Sequence, residues 1–337
     1  MRVLARLLTP LQGIGMAALL VWALRSVEFG ETLATTDKFV AAPVPMAFSV
    51  AVTTVISGWS TMSLNICDIS RYAKSERAQA IGQAIGFVLP NTAVAAVGIF
   101  VTAAATVLFP GADNLWNFTS LFCHWPAWVG APASVVLSLS ILSHNLIANV
   151  ISPANDLANL APNLISFRSG ALIAILLASL LMPWRILADP TGYLRKFILS
   201  YSMFTGSILA IMLVDFYIIR KRALVITGLY DRGSGGLYFY HHGFNPKAWV
   251  ALVVAVLPCV PGFVMRITGD SSDGSDLSVV FQALYSVSWF VSFAVASTVY
   301  LAANYIWPLS VEHRAHQSGL PVKIFLQFLM LESTIWP

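Results

Sequence analysis

Apolar runs long enough to cross a bilayer recur along this chain, and a run of that kind can fold in very few ways. In hydrocarbon every backbone N–H and C=O must find its partner within the segment, so a span of roughly 20 such residues has to be helical. Runs of this kind can be laid out at residues 9–23, 44–66, 81–109, 132–151, 170–187, 197–219, 248–264 and 277–307. A soluble chain carries about a quarter charged residues. Here only 10% of 337 residues are charged and 58% are hydrophobic, with a mean hydropathy of +0.77. The expected fold is therefore all-α integral membrane, with about eight transmembrane helices over residues 1–307. A tail follows over 308–337, with one short amphipathic or interfacial stretch at 322–330.

The net charge of +4 does not point to nucleic acid, because the basic residues sit in short inter-helix loops and not in one stripe. With eight spans, Arg2, Arg6, Arg71, Lys74, Arg77, Arg168, Arg220, Lys221, Arg222, Arg232, Lys247, Arg314 and Lys323 fall on one face. By the positive-inside rule that face is cytosolic or its organellar equivalent, and both termini lie on it. The opposite face receives Asp37, Asp113, Asp270, Asp273 and Asp276, together with the sequon Asn117-Phe118-Thr119, which carries little weight in so short a loop. Arg2 and Arg6 precede an apolar segment without a small-residue cleavage pattern, so the first span is expected to act as its own insertion signal. Cys67, Cys123 and Cys259 show no metal or disulfide spacing and read as small packing residues.

Two spans are not uniformly apolar. The second changes character at Ser57-Gly58-Trp59. Glycine allows a helix to unwind and offer backbone groups to a ligand, and Trp59 offers a flat face on which a planar heterocycle can stack. A tryptophan packed beside a small residue at a helix crossing would look the same. Ser57, Ser60 and Thr61 would satisfy exposed carbonyls or line a cavity. In the fourth span, "SILSHNLIANVISPAND", Asn145 and Asn149 are four apart and share a helix face. An amide joins donors and an acceptor, matching the alternating N–H and C=O edge of a base; interhelical hydrogen bonding is the structural alternative. Ser140, Ser143 and His144 lie in the same two turns. His144 is ionisable inside a span, able to cycle a proton or simply to bond one carbonyl.

Elsewhere Asp68 and Arg71 are spaced to pair as an anchor or gate contact, and Asp215 before Arg220, Lys221 and Arg222 reads alike. Residues 171–184 and 248–263 are apolar all round and read as scaffold. The long loop 220–247 is expected to form a hairpin-like turn, with Tyr238 and Tyr240 alternating and with His241 and His242 solvated and pointing apart. Together with Asp231 these histidines are the only candidates for catalysis, and no acid–base pair, nucleophile triad or phosphate loop is present. An enzyme is not expected.

The stretches "GWSTMSLNICDISRYAKSERAQAIGQ", "NLIANVISPANDLANLAPNLISFRSG", "MPWRILADPTGY" and "YSMFTGSILAIMLVDFYIIRKR", followed by "LYDRGSGGLYFYHHGFNPKAWVALVVAVLPCVPGF", resemble the nucleobase:cation symporter-1 family, nearest its allantoin-permease and plastidic nucleobase-transporter branch. The similarity runs from about Leu4 to Trp307. It implies a LeuT-like twelve-helix inverted-repeat transporter, of which this chain matches helices 5 to 12. It implies a planar substrate such as uracil, a purine or allantoin, stacked on Trp59 and bonded by Asn149, with a gate at Phe204 in the tenth helix; Gly58 and Asn145, read from the residues themselves, complete the expected substrate-binding set. In sodium-coupled members the positions of Ser140, Ser143 and His144 supply ion ligands, the last as threonine. Histidine is a poor sodium ligand, since a hard cation favours oxygen, so the coupling ion is expected to be H+ in preference to Na+, and no other cofactor is implied. The family's first four helices have no counterpart here, so a truncated chain is expected, or a homo-oligomer or partner chain that supplies the rest.

Overall fold

The computed structural model describes residues 2–27, 44–112, 115–184, 195–229, 231, 233–234, 236–268 and 276–308. Asp37, Asp113, Arg232, Asp270, Asp273, Arg314, Lys323 and the tail stretch 322–330 lie outside them. Among the described residues the regular structure is helical, and seven helices are long and apolar enough to cross a membrane. The stretch expected as a fifth span is a shorter apolar helix, Phe167–Leu180.

The chain divides into two units, one of residues 1–44 and 65–183, the other of 45–64 and 184–337. In the first, α1 (Arg2–Ser26) is followed, after the chain has passed through the second unit as α2 (Val44–Leu64), by α3 (Cys67–Ser70), α4 (Glu76–Leu108), α5 (Phe118–Cys123) and α6 (Ala127–Asn145). α6 runs on through a π-helical segment, Leu146–Val150, into α7 (Ile151–Leu160), and α8 is Phe167–Leu180. The core of this unit joins Ala23 of α1 and Val27 just beyond it, Val97, Val101, Ala104 and Ala105 of α4, and Leu115, Leu121 and Phe122. Ser75 caps α4 by accepting from the Ala78 amide at 3.1 Å, and a Ser166–Ser169 capping box starts α8; both satisfy amide donors that the first turn of a helix leaves without a partner.

The second unit holds α2, α9 (Arg195–Leu213) with a π-helical extension Val214–Ile219, the short α10 (Ile226–Leu229), and α11 (Pro246–Val256). α11 continues through a 3-10 turn, Leu257–Cys259, into α12 (Val260–Thr268); α13 (Asp276–Ser286) and α14 (Ser288–Ile306) complete it. The last span is thus two helices interrupted at Val287, where one was expected over 277–307. Small residues let α9 and α14 approach closely: buried Ser202, Ala210 and the Gly206 between them face buried Ser288, Ser292 and Ala296. A Cβ on Gly206 would sit 2.5 Å from the Trp289 carbonyl oxygen. With no water to expel, membrane helices associate through such backbone proximity and through polar side chains, and the Ser202 and Ser288 hydroxyls meet at 2.8 Å.

The end of α9 carries a buried charge cluster. Arg220 is only 1% exposed. Its Nε donates to Asp215 Oδ2 at 2.5 Å and its Nη2 to the Tyr240 hydroxyl at 2.6 Å, while the guanidinium lies 4.8 Å over the Tyr238 ring. From α14 the Tyr300 hydroxyl donates to Asp215 Oδ1 at 2.8 Å, and Asn245 donates to Tyr300 at 3.2 Å. Burial alone would depress the Arg220 pKa, but the bond to Asp215, its charge and the neighbouring phenols hold it above the ordinary value. Burial pushes the Tyr240 phenol up, so it stays a neutral acceptor. The loop beyond turns tightly through a bridge between His241 and Phe244. Both histidines are exposed, but contrary to expectation their rings meet edge-on, 4.5 Å apart.

Candidate functional site

α2 does not unwind at Gly58. It is helical from Val44 to Leu64, and the irregularity comes later, at Asn65 and Ile66. The hydroxyls expected to line a cavity bond back to the helix instead. Ser57 Oγ donates to the Thr53 carbonyl at 2.5 Å and Ser60 Oγ to that of Ser57 at 3.0 Å, local back-bonding of the kind that bends a helix without ending it. Thr53, Ser57 and Ser60 form a buried polar stripe. Thr53 donates to the Ser286 carbonyl at 2.7 Å, and Ser60 meets the Thr205 hydroxyl at 2.9 Å. Gly58 lies off that stripe, exposed and with nothing within 4 Å of where a Cβ would stand. Trp59 beside it is half-buried, so α2 can present a ring and a bare stretch of backbone together while its other face is held. Phe204, on α9 in the same unit, is 44% exposed.

The remaining predicted residues belong to the other unit. Asn149 falls in the π-helical segment, where one extra residue per turn loosens the usual ladder; such segments recur at functional sites. Its amide donates to Asn145 Oδ1 at 2.5 Å, and both residues are exposed. The Asn149 carbonyl oxygen and the Asn145 amide nitrogen carry no bond in this pairing, so the pair presents one acceptor and one donor side by side. Ser140 and Ser143 are buried, whereas His144 is exposed. Ser140 lines a cavity of about 580 Å³ between α1 and α6, and its buried hydroxyl has no hydrogen-bond partner.

Nearby in this unit Asp68 is buried, paired with Arg71 as its spacing predicts, and accepts from Asn155 of α7 at 3.0 Å. Cys259 is buried and Cys67 and Cys123 are exposed; all three are free. Among the described residues no group of three His, Cys, Asp or Glu could hold a metal ion.

A family model described as permease for cytosine/purines, uracil, thiamine, allantoin matches residues 1–313. The chain belongs to the nucleobase:cation symporter-1 family. Among its relatives, the purine-uracil permease of Arabidopsis thaliana is 35% identical over 290 residues, which are 84% of this chain and 47% of that protein. The allantoin permease of Bacillus subtilis is 30% identical over 275 residues, 80% of this chain and 52% of that protein. This symporter-family chain thus spans about half the length of the curated relatives it matches. In fold it is similar to Mhp1, a nucleobase-cation-symport-1 family transporter solved in a closed conformation with bromovinylhydantoin bound. The TM-score is 0.64 at 21% identity, covering 94% of this chain and 65% of that one. The family and these relatives are transporters and not enzymes, and the apolar helices make this member an integral, multi-pass membrane protein.

Proposed function

We propose that this chain is the core-to-C-terminal part of a secondary active transporter for nucleobases or related planar heterocycles such as allantoin, matching helices 5 to 12 of its family and working by alternating access. The observation that carries the reading is the exposed Gly58 next to the half-buried Trp59. Stacking on an aromatic face contributes about 1 to 3 kcal/mol per base. Asn149, assisted by Asn145, hydrogen-bonds the substrate's amide edge, and Phe204 gates access. Ser140, Ser143 and His144 serve the coupling ion, H+ in preference to Na+ because an imidazole replaces an oxygen ligand. Both termini lie on the cytosolic-equivalent side, in a plasma membrane or plastid envelope.

The test is uptake of radiolabelled uracil, adenine, guanine and allantoin in cells lacking their own permeases. The chain as given is compared with the same chain supplied with the four amino-terminal helices of a relative. Uptake in either form that is lost with Trp59→Ala supports the reading; no uptake in both refutes it. Uptake only in the supplemented form favours a second reading of the chain alone, as a fragment that associates with or regulates a longer permease, consistent with its covering about half of its relatives.

A further inference from the structure

The Ser57 carbonyl, two residues ahead of Trp59, carries more than its helical share of bonds. Besides Ser60 Oγ, it accepts from the Tyr201 hydroxyl of α9 at 2.7 Å. One turn along α9, the Thr205 hydroxyl meets Ser60 at 2.9 Å. Ser57, Ser60 and Thr205 are all buried. Carbonyls that take a side-chain hydroxyl are where helices bend, and the next residue is Gly58, whose Cβ position touches nothing. The weakest point of α2 is therefore fastened to α9 immediately before the tryptophan. Between the two fastening residues of α9 stands Phe204.

We propose that Tyr201 and Thr205 are positioning residues for Trp59, holding α2 through the Ser57 carbonyl and the Ser60 hydroxyl and so tying the ring to the helix that carries Phe204. The inference rests on the stacking role given to Trp59 above. Neither residue needs to touch substrate. A shift of α9 carries the Ser57 peptide with it, and the adjacent glycine gives no side-chain resistance to the turn that follows. Opening at Phe204 and reorientation of the stacking face then become one movement.

Tyr201→Phe removes a single O–H and Thr205→Val a single hydroxyl, each with little change of shape. In the full chain in nanodiscs, hydrogen exchange at amides 57–61 is expected to speed by about tenfold, the effect of losing one hydrogen bond worth about 1.4 kcal/mol, with exchange in α4 and α6 unchanged. In whichever form transports, KM should rise about fivefold to tenfold, with kcat per surface molecule within about twofold. Exchange at 57–61 within about twofold of wild type overturns the proposal. So does faster exchange with an unchanged KM, since the ring would then be indifferent to the tie. If Trp59→Ala leaves uptake intact, the stacking role itself fails, an outcome distinct from either of these.

Discussion

Removing the charge on Asp215 takes from buried Arg220 its one acidic partner among the described residues. Asp215→Asn is nearly isosteric and can still accept from Tyr300, but it loses the ionic partner of a guanidinium that is 1% exposed and held at 2.5 Å. Breaking a buried pair by deleting one partner costs about 3–5 kcal/mol. For a unit of this size that is a fall of roughly 6–20 °C in melting temperature. Replacing both charges, as Asp215→Leu with Arg220→Met, removes the stranded ion along with its partner, and well-packed exchanges of this kind are often neutral or stabilising by about 1–4 kcal/mol. The Tyr240 hydroxyl loses its donor in that variant, which keeps recovery short of complete. The assay is thermal melting followed by fluorescence-detected size exclusion in one detergent for wild type, the two single variants and the pair. The ordering expected is wild type, then the pair, then either single. A harmless Asp215→Asn, or a pair as damaged as the sum of its singles, would refute the view that the charges matter chiefly to each other.

Gly206→Leu should abolish monodisperse protein on size exclusion, since its Cβ alone would sit 2.5 Å from the Trp289 carbonyl; Gly58→Ala, with open space around it, should melt within about 2 °C of wild type, helix propensity being its main effect. Trp59→Ala should weaken substrate affinity by about 10- to 100-fold and Trp59→Phe by less, measured as KM for uptake. Replacing Na+ by choline should leave uptake unchanged, and His144→Thr should introduce sodium dependence by restoring an oxygen ligand. Deleting Ile147 should return the segment around Asn149 to α-helical pitch, removing the widened turn that carries the Asn149 amide while α7 keeps its facing, and should abolish uptake while the protein still inserts.

The membrane class and most span positions are legible in the sequence because hydropathy is additive along a run and needs no tertiary information. The pairing of Asp68 with Arg71 is legible too, being set by helical spacing. Interruptions are harder. At Val287 the chain breaks between two serines with no glycine or proline to mark it, and a π-helical segment adds one residue without altering composition. Gly58 misleads in the opposite sense. A glycine amid hydroxyls looks like a break, but α2 stays helical through it, with Ser57 and Ser60 bonded back to their own helix. The contact of Asp215 with the triplet Arg220-Lys221-Arg222 is legible, but not which member makes it: only Arg220 is buried against Asp215 and the last two are exposed, and Tyr238 and Tyr240, which help bury the first, are separated from it by a loop whose path hydropathy does not encode. The α9–α14 seam carries a usable signal in the sequence, small residues four apart at 202, 206 and 210 and at 288, 292 and 296.

The partners of α2 also impose an order on synthesis. Thr205 lies 145 residues and Ser286 lies 233 residues further along the chain from the hydroxyls they meet. At about 5–20 residues per second, Ser60 leaves the ribosome roughly 7–30 s before Thr205 exists. Throughout that interval α2 resides in lipid or in the insertion machinery with its polar stripe unmatched by any other helix. The bonds from Ser57 to Thr53 and from Ser60 to Ser57 close within the helix itself and are available at once. They let α2 wait as a tolerable lipid-facing segment, to be handed over to α9 when it arrives.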